Sequence, residues 1–137
     1  MIYQTQTVSF REELLKGIHD LLTDTIKLAL YTSSASLDED TTAYTTSNEV
    51  TGGSYVAGGV TLTGVSINNS NGIVYVSFDN AVWNPASFTA AGGLIYNFSK
   101  ANRSIAVISF GNDKTATNTF TVQMPTNTYT AALLRFN

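Results

Sequence analysis

From Ile26 onward, apolar residues recur at every second position in short runs, a period that fits pleated strands and not helices. Ile26, Leu28 and Leu30 alternate with Lys27, Ala29 and Tyr31, and Ser33-Ser34 closes that run. Turn signals interrupt the pattern every ~8–12 residues. Short strands are expected at residues 49–50 and 60–62, around Gly52-Gly53 and Gly58-Gly59. Residues 65–67 and 73–78 flank Asn68-Asn69-Ser70-Asn71-Gly72, and Asn-Gly supplies the positive φ angles of a tight hairpin. Ala81-Val82-Trp83 runs into Asn84-Pro85, where the proline bars a central-strand position. Residues 88–98 read as a strand with a bulge at Gly92-Gly93, followed by a turn at 99–103. Further strands are expected at 104–110, 119–124 and 129–136, with a polar loop at 111–118.

Upstream of this region the period is helical. Ser9-Phe10-Arg11-Glu12 fits a capping box, with Val8 before it as a hydrophobic staple. Phe10, Leu14, Leu15 and Ile18 follow on one predicted face, so a helix is expected over about residues 9–18. Gly17 either ends it or sits inside a slightly longer one. The fold class is therefore mainly β: an antiparallel β-sandwich or barrel with one short N-terminal α-helix, forming one domain over residues 1–137.

Composition narrows the function. Charged residues make up 12% of the chain and hydrophobic ones 43%, against roughly 25% charged in ordinary soluble domains. Thr, Ser and Asn take the place of the missing charge, giving a surface that desolvates cheaply and suits packing against neighbours. A net charge of −3 with scattered Lys and Arg argues against nucleic acid, which calls for a basic field facing the phosphates. The absence of cysteine removes disulfides, thiolate metal sites and cysteine nucleophiles. The N-terminal residues have neither a basic nor an apolar leader region, and no apolar run approaches a membrane span, so no signal peptide and no membrane partner are expected.

No motif carries catalysis. His19 is the single histidine; Asp20 and Asp24 are near it in sequence, yet a lone histidine after a short helix is expected at a cap or on the surface. Asp38-Glu39-Asp40 lacks the alternating ligands, glycine and distal Glu of an EF-hand loop, so it reads as a solvated loop and not as a metal site. The glycine pairs lack the strand–helix context of a phosphate cradle. No catalytic, cofactor-binding or metal-ligating residue is assigned, and no cofactor is expected. The aromatic residues Tyr31, Tyr44, Tyr55, Tyr75, Trp83, Tyr96 and Tyr129 suggest either core and inter-subunit anchors or a sugar-stacking platform. Tyr44, Tyr55 and Trp83 are the candidate interaction anchors.

Residues 27–44, 48–62, 93–97 (GLIYN) and 109–125 (SFGNDKTATNTFTVQMP), with the helix at 10–22 and Thr23-Asp24-Thr25 after it, resemble a family of small structural proteins of tailed bacteriophage virions. Thr89-Ala90-Ala91-Gly92 departs from the pattern, which often has an arginine before the GLIYN-like strand. The resemblance implies a non-enzymatic virion component, made in the host cytoplasm and docking as a homo-oligomer on the major capsid protein or another virion protein. Compactness and light charge favour a capsid decoration (cement) protein. The alternatives are a neck, tail or baseplate component and a carbohydrate-binding, host-receptor module.

Overall fold

The computed structural model describes the whole chain, Met1–Asn137. In chain order the elements are β1 (Thr5–Gln6), α1 (Val8–Leu15), β2 (Ile26–Tyr31), β3 (Val60–Thr61), β4 (Ser66–Ser70), β5 (Ile73–Ser77), β6 (Ala81–Trp83), β7 (Thr89–Asn97), β8 (Arg103–Thr115), β9 (Phe120–Val122) and β10 (Leu134–Phe136), with a 3₁₀ turn at Phe98–Lys100. The fold is mainly β and sandwich-like. A five-stranded sheet of order β1-β8-β7-β2-β3 is accompanied by a three-stranded sheet, β10-β5-β4, and a two-stranded one, β6-β9. Every strand pair is antiparallel.

Side-chain alternation gives the large sheet two apolar faces. Ile26, Leu28, Leu30 and Ile95 point one way and meet Val76 and Leu134 of the three-stranded sheet and Trp83, Phe120 and Val122 of the two-stranded one. Ala29, Tyr31, Leu94, Tyr96 and Val107 point the other way. There they are covered by Ala35 and Leu37 and by half-buried Ile2 and Tyr44, all from outside the regular strands. This double burial explains why β7 reads as a nearly continuous run of small and apolar residues.

The hairpin predicted from Asn71-Gly72 is present. Both residues have positive φ, 53° and 79°, and β4 pairs with β5 directly across them, from Ser70 opposite Ile73 to Ser66 opposite Ser77. A bulge also lies near Gly92, where the β7–β8 register shifts between Ala90 and Gly92. A second shift lies between Ile95 and Tyr96, and across it Ile105 and Ala106 both enter the larger core.

Several expectations need correction. The helix is capped by Thr7, whose hydroxyl accepts from the Phe10 amide at 3.3 Å, and not by Ser9. The Thr7 amide donates to the Ile105 carbonyl, so the helix starts where pairing with β8 ends. Val8 is then the first helical residue and 44% exposed, which leaves no staple. Glu12 pairs with Lys16 at 2.9 Å on the exposed side and does not reach back to a cap. Gly17 closes the helix: its amide donates to Leu14 and that of Ile18 to Glu13, a Schellman pair that requires the positive φ of 73° there.

The predicted apolar face is accordingly narrower. Phe10 is fully buried, Leu14 and Ile18 are half-buried, and Leu15 is 90% exposed. Leu15 follows Phe10 by five residues, or about 140° around the helix, which turns it from the core. Phe10→Ala is expected to lose about 3–5 kcal/mol in urea unfolding, whereas Leu15→Ala should stay within about 0.5 kcal/mol of the parent. Comparable losses at both positions would contradict this packing.

At the C-terminal side, β8 runs to Thr115, through much of the predicted polar loop. Conversely, the expected strand at 129–136 forms only from Leu134, where pairing with Val76 begins.

Candidate interaction surface

Between β2 and β3, residues 32–59 contain no helix or strand. A loop this long inside a compact fold is usually functional or disordered, and this one is tied down along its length. Ala35 and Leu37 are buried beneath it, and the N-terminal backbone pairs with it: Tyr3 donates to Leu37, which donates back to Met1. Tyr44 stacks on Tyr96 with ring centroids 4.7 Å apart and planes 18° from parallel. The Tyr31 hydroxyl donates to the Thr45 carbonyl.

The loop also finishes the outer edge of β2 after the two-residue strand β3 gives out. Val50 donates to the Leu30 carbonyl, and Thr32 donates to the Asn48 carbonyl. The Leu30 amide, which faces no strand, donates to the Tyr55 hydroxyl at 2.9 Å. An unpaired edge would be a template for aggregation; here backbone and one phenol close it.

Glu49 anchors this arrangement. It is 6% exposed, and three donors converge on its carboxylate: the Tyr44 hydroxyl at 2.6 Å, the Tyr55 hydroxyl at 2.6 Å and the Gly58 amide at 2.8 Å. Tyr96 donates to the Gly58 carbonyl at 2.6 Å. Burial raises the phenol pKa values of Tyr31, Tyr44, Tyr55 and Tyr96, with hydrogen bonds to Glu49 adding to the effect at Tyr44 and Tyr55, and Tyr96 is pushed up to about 12. Proton-donating tyrosines around one carboxylate make a staple, since each phenol is held in the form that donates.

Two of the three predicted anchors are therefore committed to the interior. Tyr55 is 9% exposed and Trp83 5%. Trp83 lies edge-on to Phe88 and Phe120, with centroids 6.5 and 6.0 Å away, in the larger core. Tyr44 is half-buried and keeps one ring face on Tyr96. Reading the sequence for aromatic anchors missed Glu49. The available signal was its position, as the one charged residue between Thr42 and Ala57.

Past the acidic Asp38-Glu39-Asp40, the surface that the loop exposes over residues 42–57 is mostly neutral and polar, with Val56 its one large apolar side chain. Thr42, Thr45, Thr46, Ser47, Asn48, Thr51, Ser54 and Ala57 are all exposed and uncharged, and the one carboxylate among them is turned inward. Such a patch offers many neutral hydrogen-bonding groups on a backbone held in place from beneath.

His19 also departs from expectation. Its side chain has no exposed surface, and its ring packs against Phe10 with centroids 5.1 Å apart. Asn97 Nδ2 lies 3.0 Å from Nδ1, and Glu13 Oε1 lies 2.9 Å from Nε2. The Asn97 amide also donates to Asp24 at 2.7 Å, so Nδ1 accepts and Nε2–H donates to Glu13. Both ring nitrogens are occupied, which leaves none for a substrate or a metal. Burial opposes the charge of Asp24, but Lys100, Asn97 and the Asp20 amide lower its pKa to about 2. This network ties the segment after α1 to the end of β7. At the acidic loop, the Asp38 carboxylate accepts from the Asp40 amide at 2.9 Å, and no group of three or more His, Asp or Glu side chains converges anywhere in the structure.

No protein-family model, curated protein or solved structure matches the chain.

Proposed function

We infer that the chain is a non-enzymatic structural component of a tailed-bacteriophage virion, a decoration protein that docks as a homo-oligomer on the head shell. The observation that carries this reading is the surface of residues 42–57, which exposes no charge and is pinned from below by Glu49 and four tyrosines. Neutral hydroxyls and amides lose little on desolvation, and a preorganised backbone loses little entropy on docking. Together these suit a permanent contact repeated many times over a shell. The resemblance of residues 27–44, 48–62, 93–97 and 109–125 to virion proteins supplies the setting.

The sugar-binding alternative is weakened by a specific observation. Tyr31, Tyr55, Trp83 and Tyr96 are buried, so their faces are closed to a sugar ring. The neck, tail or baseplate alternative differs in copy number and in what the protein stabilises.

A cement protein stabilises the lattice it binds by mass action. Virions lacking this protein are expected to release DNA at a lower temperature than complete ones, and readdition of the purified chain should restore the difference. Copy number by quantitative mass spectrometry should be on the order of hundreds per particle, following the repeated symmetry of the shell. Heads of full strength that lack tails or fail to adsorb would move the protein to the neck, tail or baseplate.

A further inference from the structure

The sandwich is open along one side. A cleft of about 460 Å³ runs between the distal half of β8 and β9. It meets a second one of about 420 Å³ at Gln4, Ile108 and Leu133. Ile108, Phe110, Met124 and Leu133, which line the first, are half of the eight partly buried apolar residues on the flank of the larger core. The core thus meets solvent here more than elsewhere.

The walls of this cleft are strand edges. Residues 119–125 line it consecutively, which a strand does with its backbone edge, since a face presents only alternate residues. β9 has one neighbour, β6. The Met124 amide turns towards that neighbour, donating to Asn80 Oδ1 at 2.7 Å. Backbone groups alternate in direction along a strand, so the Thr121 and Gln123 amides turn the other way, towards the cleft.

On the opposite wall, β8 is paired on its β1 side only at Ala106 and Val107. At Ser109 a strand is already missing, and the amide donates instead to the Gln4 side-chain carbonyl at 3.3 Å. From there to Thr115 no strand covers that side; Ser109, Phe110, Lys114 and Thr115 line the cleft, whereas Gly111–Asp113 do not, and the Gly111 amide donates to Ser109 Oγ. An apolar floor between two open backbone edges has the form of a strand-acceptor groove.

We propose that this cleft binds an extended segment of another polypeptide, which adds as a strand between β8 and β9. The segment carries apolar side chains at alternate positions and a carboxylate at one end. Alternation follows from the floor, which takes only the side chains on one face of an incoming strand. The carboxylate follows from charge: the cleft between β8 and β9 is lined by Lys114 and by no Asp or Glu.

A second copy of this chain is a poor donor. Its first residues are paired with residues 35–37 and its last with β5. Its free edge strand β4, Ser-Ile-Asn-Asn-Ser, has one apolar residue and no acid. The groove has this form whichever particle the protein serves.

The test uses the purified full chain and a fluorescent peptide of alternating valine and threonine with a glutamate at each end. A second peptide of the same sequence carries N-methyl groups on alternate amides, which removes strand pairing and keeps the side chains. The first is expected to bind saturably, and the second at least about tenfold more weakly. Hydrogen exchange should slow at Thr121, Gln123 and Thr115, whose neighbour Ala116 donates to Phe88 on the β7 side, when the first peptide is added. Thr121→Pro deletes one cleft-facing amide on an edge where proline is tolerated; it should weaken the peptide by about tenfold or more with an unchanged melting temperature. If that variant fails to fold, the methylated peptide and the exchange pattern decide the matter in the unaltered chain.

Equal binding of the two peptides, no binding up to millimolar concentration, or protection confined to another surface would overturn the proposal. So would a concentration-dependent dimer that protects the same amides with no peptide present, since the groove would then belong to a second copy. None of these outcomes bears on the particle-heating result, so failure here and failure of the virion reading are separable.

Discussion

Glu49→Ala is expected to destabilise the protein by about 3–5 kcal/mol in urea unfolding, enough to remove much of a typical margin of about 5–15 kcal/mol. The substitution leaves the Tyr44 and Tyr55 hydroxyls and the Gly58 amide without the acceptor they share. A buried donor left unpaired costs about 1–3 kcal/mol, and the two hydroxyls recover part of that by rotating. The damage should propagate to the edge of β2, because Tyr55 also accepts from the Leu30 amide. Hydrogen exchange at Leu30 and Val50 is therefore expected to speed up before that of β7. Glu49→Gln keeps the volume and one acceptor but sets an NH₂ group against convergent donors, so its loss should be smaller, about 1–3 kcal/mol. A loss below about 1 kcal/mol for the alanine variant would mean that the loop is held by its apolar residues and that the carboxylate is dispensable.

The parts of the fold that were legible in the sequence are those that local chemistry dictates. Alternation marked β2, Asn71-Gly72 fixed the turn between β4 and β5, and Gly92-Gly93 marked the region where the β7–β8 register shifts. The unread parts depend on distant partners. Thr7 caps the helix in place of Ser9 because β8 holds the Thr7 amide. Gly111-Asn112-Asp113-Lys114 is polar and exposed, and hydropathy cannot tell a solvated strand from a loop. Residues 129–133 have strand-like composition but lie beyond the pairing with β5.

The site was less legible still. Aromatic residues in polar loops pointed to a surface, yet the faces of Tyr55 and Trp83 are closed by Phe88, 33 and 5 residues away along the chain. Glu49 acquires its meaning from Tyr44, Tyr55 and Gly58 arriving together. His19 acquires its own from Asn97, which lies 78 residues further on. None of these meetings leaves a periodic trace.

Alkali is expected to unfold the protein cooperatively between about pH 10 and 12, with tyrosinate absorbance rising together with the loss of β-sheet circular dichroism. Burial lifts Tyr31, Tyr44, Tyr55 and Tyr96 above the ordinary phenol value of 10.0, Tyr96 to about 12 and the others further. A raised value means that the native state favours the protonated phenol. The corresponding stability is intact below the unfolded value and is lost as pH climbs towards the folded one. Within that window the unfolded chain releases protons that the native chain retains, so stability falls by about 1.4 kcal/mol per pH unit for each such tyrosine. Tyr31, Tyr55 and Tyr96, the three buried ones, together give about 4 kcal/mol per pH unit, with less from half-buried and solvent-screened Tyr44, and two units would exhaust an ordinary folding free energy. Tyr96→Phe should take one proton from that slope, since it removes an ionising group while leaving the ring stacked on Tyr44. Tyrosines that titrate gradually near pH 10 while circular dichroism stays unchanged would show that water reaches the cluster. The loop above it would then be mobile, and a docking surface built on its rigidity would lose its physical basis.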